Sequence, residues 1–373
     1  MEKGVFGYVS EHWGNDVKCF YLQQPDKERK KAGWQVESYA NVRVEQISSD
    51  VFPRQFVSRV ITEYPNAIHI FFGGLIHKLK KYLDSYIDQV KDSKLVIVAE
   101  KPLVSGKLKL LKKIAKKLLY RIIFKNYNPY IDVFLAMGQK GVNRYKEYGY
   151  SKNSIFPFMY NPIMNINDNN KSIDKIIVNN PVRFLYLGRF DFKYKGCKNL
   201  MIAFDNIDKE LNGKWKLTLV GGYGKQKNEI IEWANNKEFV DFGGTWNQKD
   251  IIKNMSDYDI CIVPSIEDGW NLSPNYAIYS HVGMIISDEA TSHEIIENSG
   301  SGIVYHYNDI DSFKKHIEDV IRNRDMIYQW KLKTFQFVDK ISSKSVGDYF
   351  IDIMDYSFYN SNKLPKCPWL KQE

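Results

Sequence analysis

A chain of 373 residues with 44% hydrophobic residues is long enough for two ordinary cores, and its formal net charge is +9. Four scattered cysteines (Cys19, Cys197, Cys261, Cys367) lack metal or pairing spacing, which argues against a disulfide-stapled scaffold and points to a reducing compartment. No stretch is apolar enough to span a bilayer and no signal peptide opens the sequence, so the expectation is a cytoplasmic chain, free or lying on a membrane surface.

The charge is unevenly placed. Residues 1–180 carry 29 Lys and Arg against 17 Asp and Glu, and residues 181–373 carry 24 against 27. Basicity therefore belongs to the first half and points there to a polyanionic surface, with plain solubility as the competing reading.

In chain order, Gly4–Val9 reads as a first strand, followed by a loop 10–16 whose Gly14 is a candidate ligand-facing glycine. Val17–Leu22 and Val42–Ile47 read as strands around a polar loop 23–31. Ala67–Phe72 is a strand ending in Gly73-Gly74, and a helical pattern runs from Leu75 to Val90. Leu95–Ala99 is a strand that delivers Glu100 to any cleft between domains, unless that carboxylate only forms a surface salt bridge. From Lys107 to Lys125, Leu108, Leu111, Ala115, Leu118, Leu119 and Ile122 recur at helical spacing, with Lys109, Lys112, Lys113, Lys116 and Lys117 between them. Such a basic amphipathic helix suits an anionic membrane surface. The competing reading is a core-packed helix with a solvated lysine face. Nucleic acid is not expected, because no aromatic residues are interleaved for stacking. Val133–Ala136 is a strand and Lys140–Tyr148 a helix. Pro157–Asn180 turns Asn-rich and reads as a linker.

The second half alternates short apolar runs with helical patterns. The runs are Phe184–Leu187, Leu217–Val220, Phe239–Phe242, Ile260–Val263 and Met284–Ile286. Each is too short for a buried helix and ends in Gly, Pro, Ser or Asp, as parallel strands covered on both faces do. This predicts a doubly wound α/β domain, with ligands at the carboxyl ends of its strands. Helices follow at Asp311–Arg324 and Val346–Phe358, and the tail from Asn360 reads as irregular. The expected division is 1–165, a linker 166–180, a ligand-binding domain 181–345 and a C-terminal helix with tail 346–373, which returns toward the first domain.

The strand ends of the second half carry the chemistry. Arg189 follows Gly188, and Lys195 precedes Gly196 in the same loop; two converging cations suit a diphosphate. Gly221 and Gly222 permit close backbone approach. Glu267 and Asp268 bring carboxylates to a neighbouring strand end, where Gly269, Trp270, Asn271 and Leu272 lead into a helix after Pro274 whose N-terminus suits an anion. Cations, free amides and carboxylates together fit a nucleotide-sugar, and a structural salt bridge involving Arg189 is the plain alternative. No His or Asp cluster has metal-ligand spacing.

The stretch Val182–Ile296 resembles the donor-binding domain of the family 4 retaining glycosyltransferases of the GT-B fold. Leu187-Gly188-Arg189, Lys195-Gly196, Asn199-Leu200 with Ala203-Phe204, Leu219-Val220-Gly221, Pro264-Ser265 with Asp268-Gly269-Trp270, and Glu294-Ile295-Ile296 stand in that family's order. The first half resembles the family in layout only.

The resemblance implies two Rossmann-like domains facing each other across a cleft, the donor on the second and the acceptor mostly on the first. It implies that Arg189 and Lys195 bind the donor diphosphate and that Asp268, with Glu267 beside it, contacts the sugar. It places the ribose-holding position of a Glu–seven-residues–Glu motif on Tyr276, a departure, since Tyr has no carboxylate, so that ribose recognition differs or Glu267 substitutes. Two small residues are likewise replaced by Tyr279 and His281, and a histidine often found at a first-domain strand end is here Glu100. Glu294 joins the donor-site candidates. The implied enzyme works without a metal or bound cofactor. Leaving-group charge then falls to Arg189, Lys195 and the amides near Gly269. The expected activity is hexose transfer, with retention, from a UDP- or GDP-sugar to a glycan, lipid-linked in bacterial surface polysaccharide (O-antigen or capsule) synthesis on the inner face of the plasma membrane. A sugar-nucleotide epimerase, a nucleic-acid-directed glucosyltransferase and a binding protein without turnover are the rivals.

Overall fold

The structure, a computed structural model, describes residues 3–13, 17–21, 42–47, 52–73, 75, 78–89, 94–104, 106, 108–162, 173, 176–247 and 250–371. Gly14, Leu22, the loop 23–31, Gly74, Lys107 and the linker stretch 163–172 lie outside the described residues.

The chain opens with helix α1 (Lys3–His12), where the sequence predicted a strand over Gly4–Val9. Val5, Phe6 and Val9 fit either period, but as neighbours on successive helical turns they bury one stripe together. A small pair of parallel strands follows, β1 (Lys18–Tyr21) and β2 (Arg43–Gln46), then helix α2 (Pro53–Glu63). The N-terminal sheet is parallel, with β3 (Ile68–Phe72), β4 (Lys94–Ala99), β5 (Val133–Met137) and β6 (Ile155–Phe158) side by side in that order. Its connections hold α3 (Lys78–Ile87), α4 (Lys109–Tyr127) and α5 (Gly138–Glu147). Pro157 and Phe158, predicted as linker, thus close the sheet edge.

The C-terminal sheet has six parallel strands: β7 (Val182–Leu187), β8 (Trp215–Val220), β9 (Val240–Phe242), β10 (Ile260–Val263), β11 (Gly283–Ser287) and β12 (Gly302–Tyr305), in the order β12-β11-β10-β7-β8-β9. The strand order reverses between β7 and β10, the position where a doubly wound sheet opens a crevice for a ligand. β10 is buried along its whole length, which its Ile-Cys-Ile-Val composition permits. Helix α6 (Cys197–Asp205) follows β7, and α7 (Lys227–Asn235), α8 (Ile251–Met255), α9 (Ser273–Tyr279), α10 (His293–Ser299) and α11 (Ile310–Arg322) complete the crossovers. The Asp309 carboxylate accepts from Ser312 N at 2.8 Å and starts α11.

Helix α12 (Arg324–Phe337) was absent from the sequence reading. Its Lys331 donates to buried Asp259 at 2.7 Å, and Asp259 also accepts from the Arg183 N–H at 2.9 Å. This fastens the end of the linker beneath the sheet. Helix α13 (Ser343–Phe358) then returns to α1. Phe350 meets Phe6 edge-on at 5.6 Å, and the Tyr8 hydroxyl donates to Asp348 at 2.6 Å. The tail has no helix or strand among its described residues, yet its Trp369 is fully buried.

Candidate active site

The loops after β7 and β10 are stitched together by backbone. The amides of Ile266 and Glu267 both donate to the Tyr194 carbonyl, at 2.8 and 3.2 Å. Gly196 has φ 65° at the start of α6, and a side chain there would collide with the Pro264 carbonyl. The glycine therefore lets loop 189–196 lie flat against loop 264–268, and this contact brings Lys195 to Asp268. Their ion pair is direct, and Ser265 and Asn271 also donate to the same Asp268 oxygen, at 3.3 and 3.0 Å. Arg189 is held loosely: its guanidinium stands 3.9 Å from Asp191, and its Nε is buried without a partner among the described residues. Two cations, one loosely paired and one on a carboxylate, thus share the crevice at the strand-order reversal.

The glycines nearby serve loop packing. Gly188 donates to the Val220 carbonyl at 3.0 Å, and a side chain on Gly221 would strike the Gly188 carbonyl. Gly222 lies against Thr245. The turn after Gly269 is braced from within. Trp270 Nε1 donates to Asn275 at 3.1 Å, while the Asn271 side-chain Oδ1 accepts from Ser273 N at 2.9 Å. The first amide of α9 is thereby used inside the protein. Leu272 is half-buried against the core. Tyr276 is 5% exposed within that core, so the place where the resemblance puts a ribose-holding carboxylate carries a packed aromatic ring.

The N-terminal domain supplies the opposite wall. Glu100, just after β4, lays its carboxylate on the Gly269 backbone, where any added side chain would collide with it. Its own carbonyl accepts from the Tyr145 hydroxyl at 2.5 Å. Glu267 meets this wall: one oxygen accepts from Val104 N at 2.7 Å, and the other is buried without a partner among the described residues. Burial pushes the Glu267 carboxyl up, against the pull of Val104 N–H and Lys101.

Three contacts were not anticipated from the sequence. Glu289 receives Lys101 at 3.3 Å, Lys140 at 3.6 Å and Lys109 at 4.0 Å, all from the N-terminal domain. Burial raises the Glu289 carboxyl, but the three lysines outweigh it and leave it below the usual range. Burial in turn lowers the Lys101 ammonium, despite Glu289. Thr291 donates to the Asp268 carbonyl at 3.0 Å. Trp369 donates to Glu294 at 2.9 Å, whose other oxygen accepts from the Gln139 N–H at 2.7 Å. Glu294 therefore fastens the tail to the N-terminal domain, and burial pushes its carboxyl up to about 7. The only sequence hint of Glu289 is its place beside Asp288, just past a strand end.

Two parallel-sheet α/β domains that meet through the loops at the carboxyl ends of their strands make a GT-B architecture. Residues 168–335 match the family model described as "Glycosyl transferases group 1". Among solved structures, sucrose-phosphate synthase from Thermosynechococcus elongatus aligns over 95% of this chain and 92% of its own, with TM-score 0.68 and 14% identity. Anabaena HepE in complex with UDP and glucose aligns over 91% and 100%, with TM-score 0.66 and 13% identity. The lipopolysaccharide outer core galactosyltransferase WaaB aligns over 95% and 94%, with TM-score 0.64 and 16% identity. Comparison with curated protein sequences finds no match. The chain is a glycosyltransferase of the GT-B fold, and its match to the glycosyl transferases group 1 family model covers residues 168–335.

Proposed function

We propose that the enzyme transfers a hexose, with retention and without a metal, from a UDP- or GDP-sugar to a glycan acceptor carried on a lipid in bacterial surface polysaccharide synthesis. The observation that carries the donor reading is the pairing of Arg189 and Lys195 at the sheet's strand-order reversal, beside Asp268. A diphosphate entering there offers Lys195 a stronger partner than one carboxylate, and charge-assisted hydrogen bonds contribute about 1.5–3 kcal/mol each. Asp268, released from Lys195, then accepts from a sugar hydroxyl together with Asn271. As the bond from the anomeric carbon to the diphosphate oxygen breaks, negative charge grows on the leaving oxygen, and the two cations stabilise it. Glu100, across the crevice on Gly269, faces the positive charge that develops on the sugar. The Anabaena protein's UDP and glucose support a uridine donor, and the lipopolysaccharide enzyme supports a surface-glycan acceptor. The basic helix α4 supports a peripheral position on the inner face of the plasma membrane. Ribose recognition differs from the motif at Tyr276.

The test incubates the protein with UDP- and GDP-hexoses and lipid-linked glycan extracted from a bacterial membrane. Labelled hexose should enter the lipid fraction with the donor's anomeric configuration by proton NMR. Conversion of the donor to an epimer without acceptor would replace the transfer reading with epimerisation.

A further inference from the structure

Helix α4 has two apolar faces. Tyr120, Ile123, Phe124 and Tyr127 are buried and fill the N-terminal core. On the opposite side, Leu111, Ile114, Leu118 and Ile122 recur every three or four residues and are 59%, 49%, 54% and 62% exposed. Leu108, Leu110 and Leu119 widen the patch. The stripe predicted from the sequence as a possible packing face is thus largely the outward one, and a different set of residues holds the helix to the protein. A helix merely packed on a core turns its polar side outward, whereas a contiguous exposed apolar patch marks a binding surface.

The margins of that stripe are cationic. The helix carries seven basic residues and no acidic one. Lys113 and Lys117 lean toward Glu147, at 3.8 and 3.4 Å, and Lys116 donates to the Leu103 carbonyl. Lys112, Arg121 and Lys125 are exposed, with no acidic partner among the described residues. An aliphatic ridge between cations complements the boundary of an anionic bilayer, acyl chains below and phosphates beside. A second copy of the chain would bring seven cations against seven.

We propose that α4 is an in-plane membrane anchor, inserting Leu111, Ile114, Leu118 and Ile122 into an anionic bilayer while Lys112, Arg121 and Lys125 meet lipid phosphates. This rests on the lipid-linked acceptor reading and adds an orientation to it. The N-terminal end of α4 adjoins both cleft walls: Lys109 comes within 3.5 Å of the Tyr307 hydroxyl and 4.0 Å of Glu289. Lys116 holds the Leu103 carbonyl next to Val104, whose N–H is held by Glu267. An anchored α4 therefore sets the cleft mouth at the bilayer surface, where a lipid-carried acceptor arrives.

The test is co-sedimentation of the full chain with phosphatidylcholine vesicles, with and without phosphatidylglycerol. Binding should require the anionic lipid and weaken with salt. Ile114→Ser with Leu118→Ser should weaken it at least about tenfold, and Lys112→Gln or Lys125→Gln about fivefold each. Thermal midpoint and stabilisation by UDP should be unchanged in all of them. As a check independent of loss, Leu118→Trp should gain fluorescence that brominated lipid quenches. Absence of wild-type binding, equal binding by the serine variant, or a solution dimer that the serine variant dissolves would each overturn the anchor. Vesicle binding without any nucleotide effect would instead sink the donor reading and leave the anchor standing.

Discussion

The two domains use their strand ends differently. In the C-terminal domain, the loops after β7 and β10 meet at the order reversal with Arg189 loosely paired and Lys195 on a carboxylate. In the N-terminal domain, the corresponding groups lie against the other domain: Glu100 on Gly269, Gln139 N–H on Glu294, and Lys101 and Lys140 on Glu289. The cations proposed to bind the donor thus lie on one domain. The other supplies a fitted wall and keeps its surplus positive charge on an outer helix.

The join should break most expensively at the tail. Trp369→Ala is expected to cost about 3–5 kcal/mol, as for a fully buried large side chain, whereas Trp369→Phe, which removes the bond to Glu294, should cost about 1–3 kcal/mol. Urea denaturation measures both, and a loss below about 1 kcal/mol for the alanine variant would deny the tail this role. On the donor side, Lys195→Ala should lower kcat for sugar transfer about 10²–10³-fold, some 3–4 kcal/mol of barrier, with little change in thermal midpoint. Turnover close to wild type would move the chemistry elsewhere.

Gly269→Ala should destabilise by about 1–3 kcal/mol through its collision with Glu100. Adding Glu100→Ala should recover most of that loss, and failure to recover would mean that the two walls do not meet as described. The smallest effect is in pH. Glu294 has a folded pKa raised to about 7 by burial, so the native state holds its proton over a range where the unfolded chain releases it. Stability should therefore be fully present below the ordinary carboxylate range and fall as pH rises toward 7, by at most about 1.4 kcal/mol per unit. Glu294→Gln should flatten that slope in thermal melts taken from pH 5 to 7.

Legibility followed the same division. The five apolar runs of the C-terminal domain are strands; β10 and β11 are buried along their whole length, and such parallel strands announce themselves as unbroken apolar segments. β12 escaped because it is four residues long, opens on glycine and has no fully buried apolar run. In the N-terminal domain, Val5, Phe6 and Val9 fit two periods, and only packing against α13 selects the helix. Lys195 and Asp268 could be proposed from their strand-end positions, since the loops that join them are short. Glu289 and Trp369 were not legible, because their partners come from a domain or a tail far away in sequence. The face on which α4 packs was ambiguous for a related reason: both of its faces are apolar, and only the surrounding fold decides which is inside.

The most direct measurement is titration of the purified chain with UDP and GDP, read by thermal stability, for wild type and Arg189→Ala. At a hundred times its dissociation constant, the cognate diphosphate should stabilise the wild type by about 2.7 kcal/mol. The variant should lose most of that shift while keeping its own unliganded midpoint. Equal stabilisation of both proteins, or none with either nucleotide, would contradict a diphosphate site at Arg189 and Lys195.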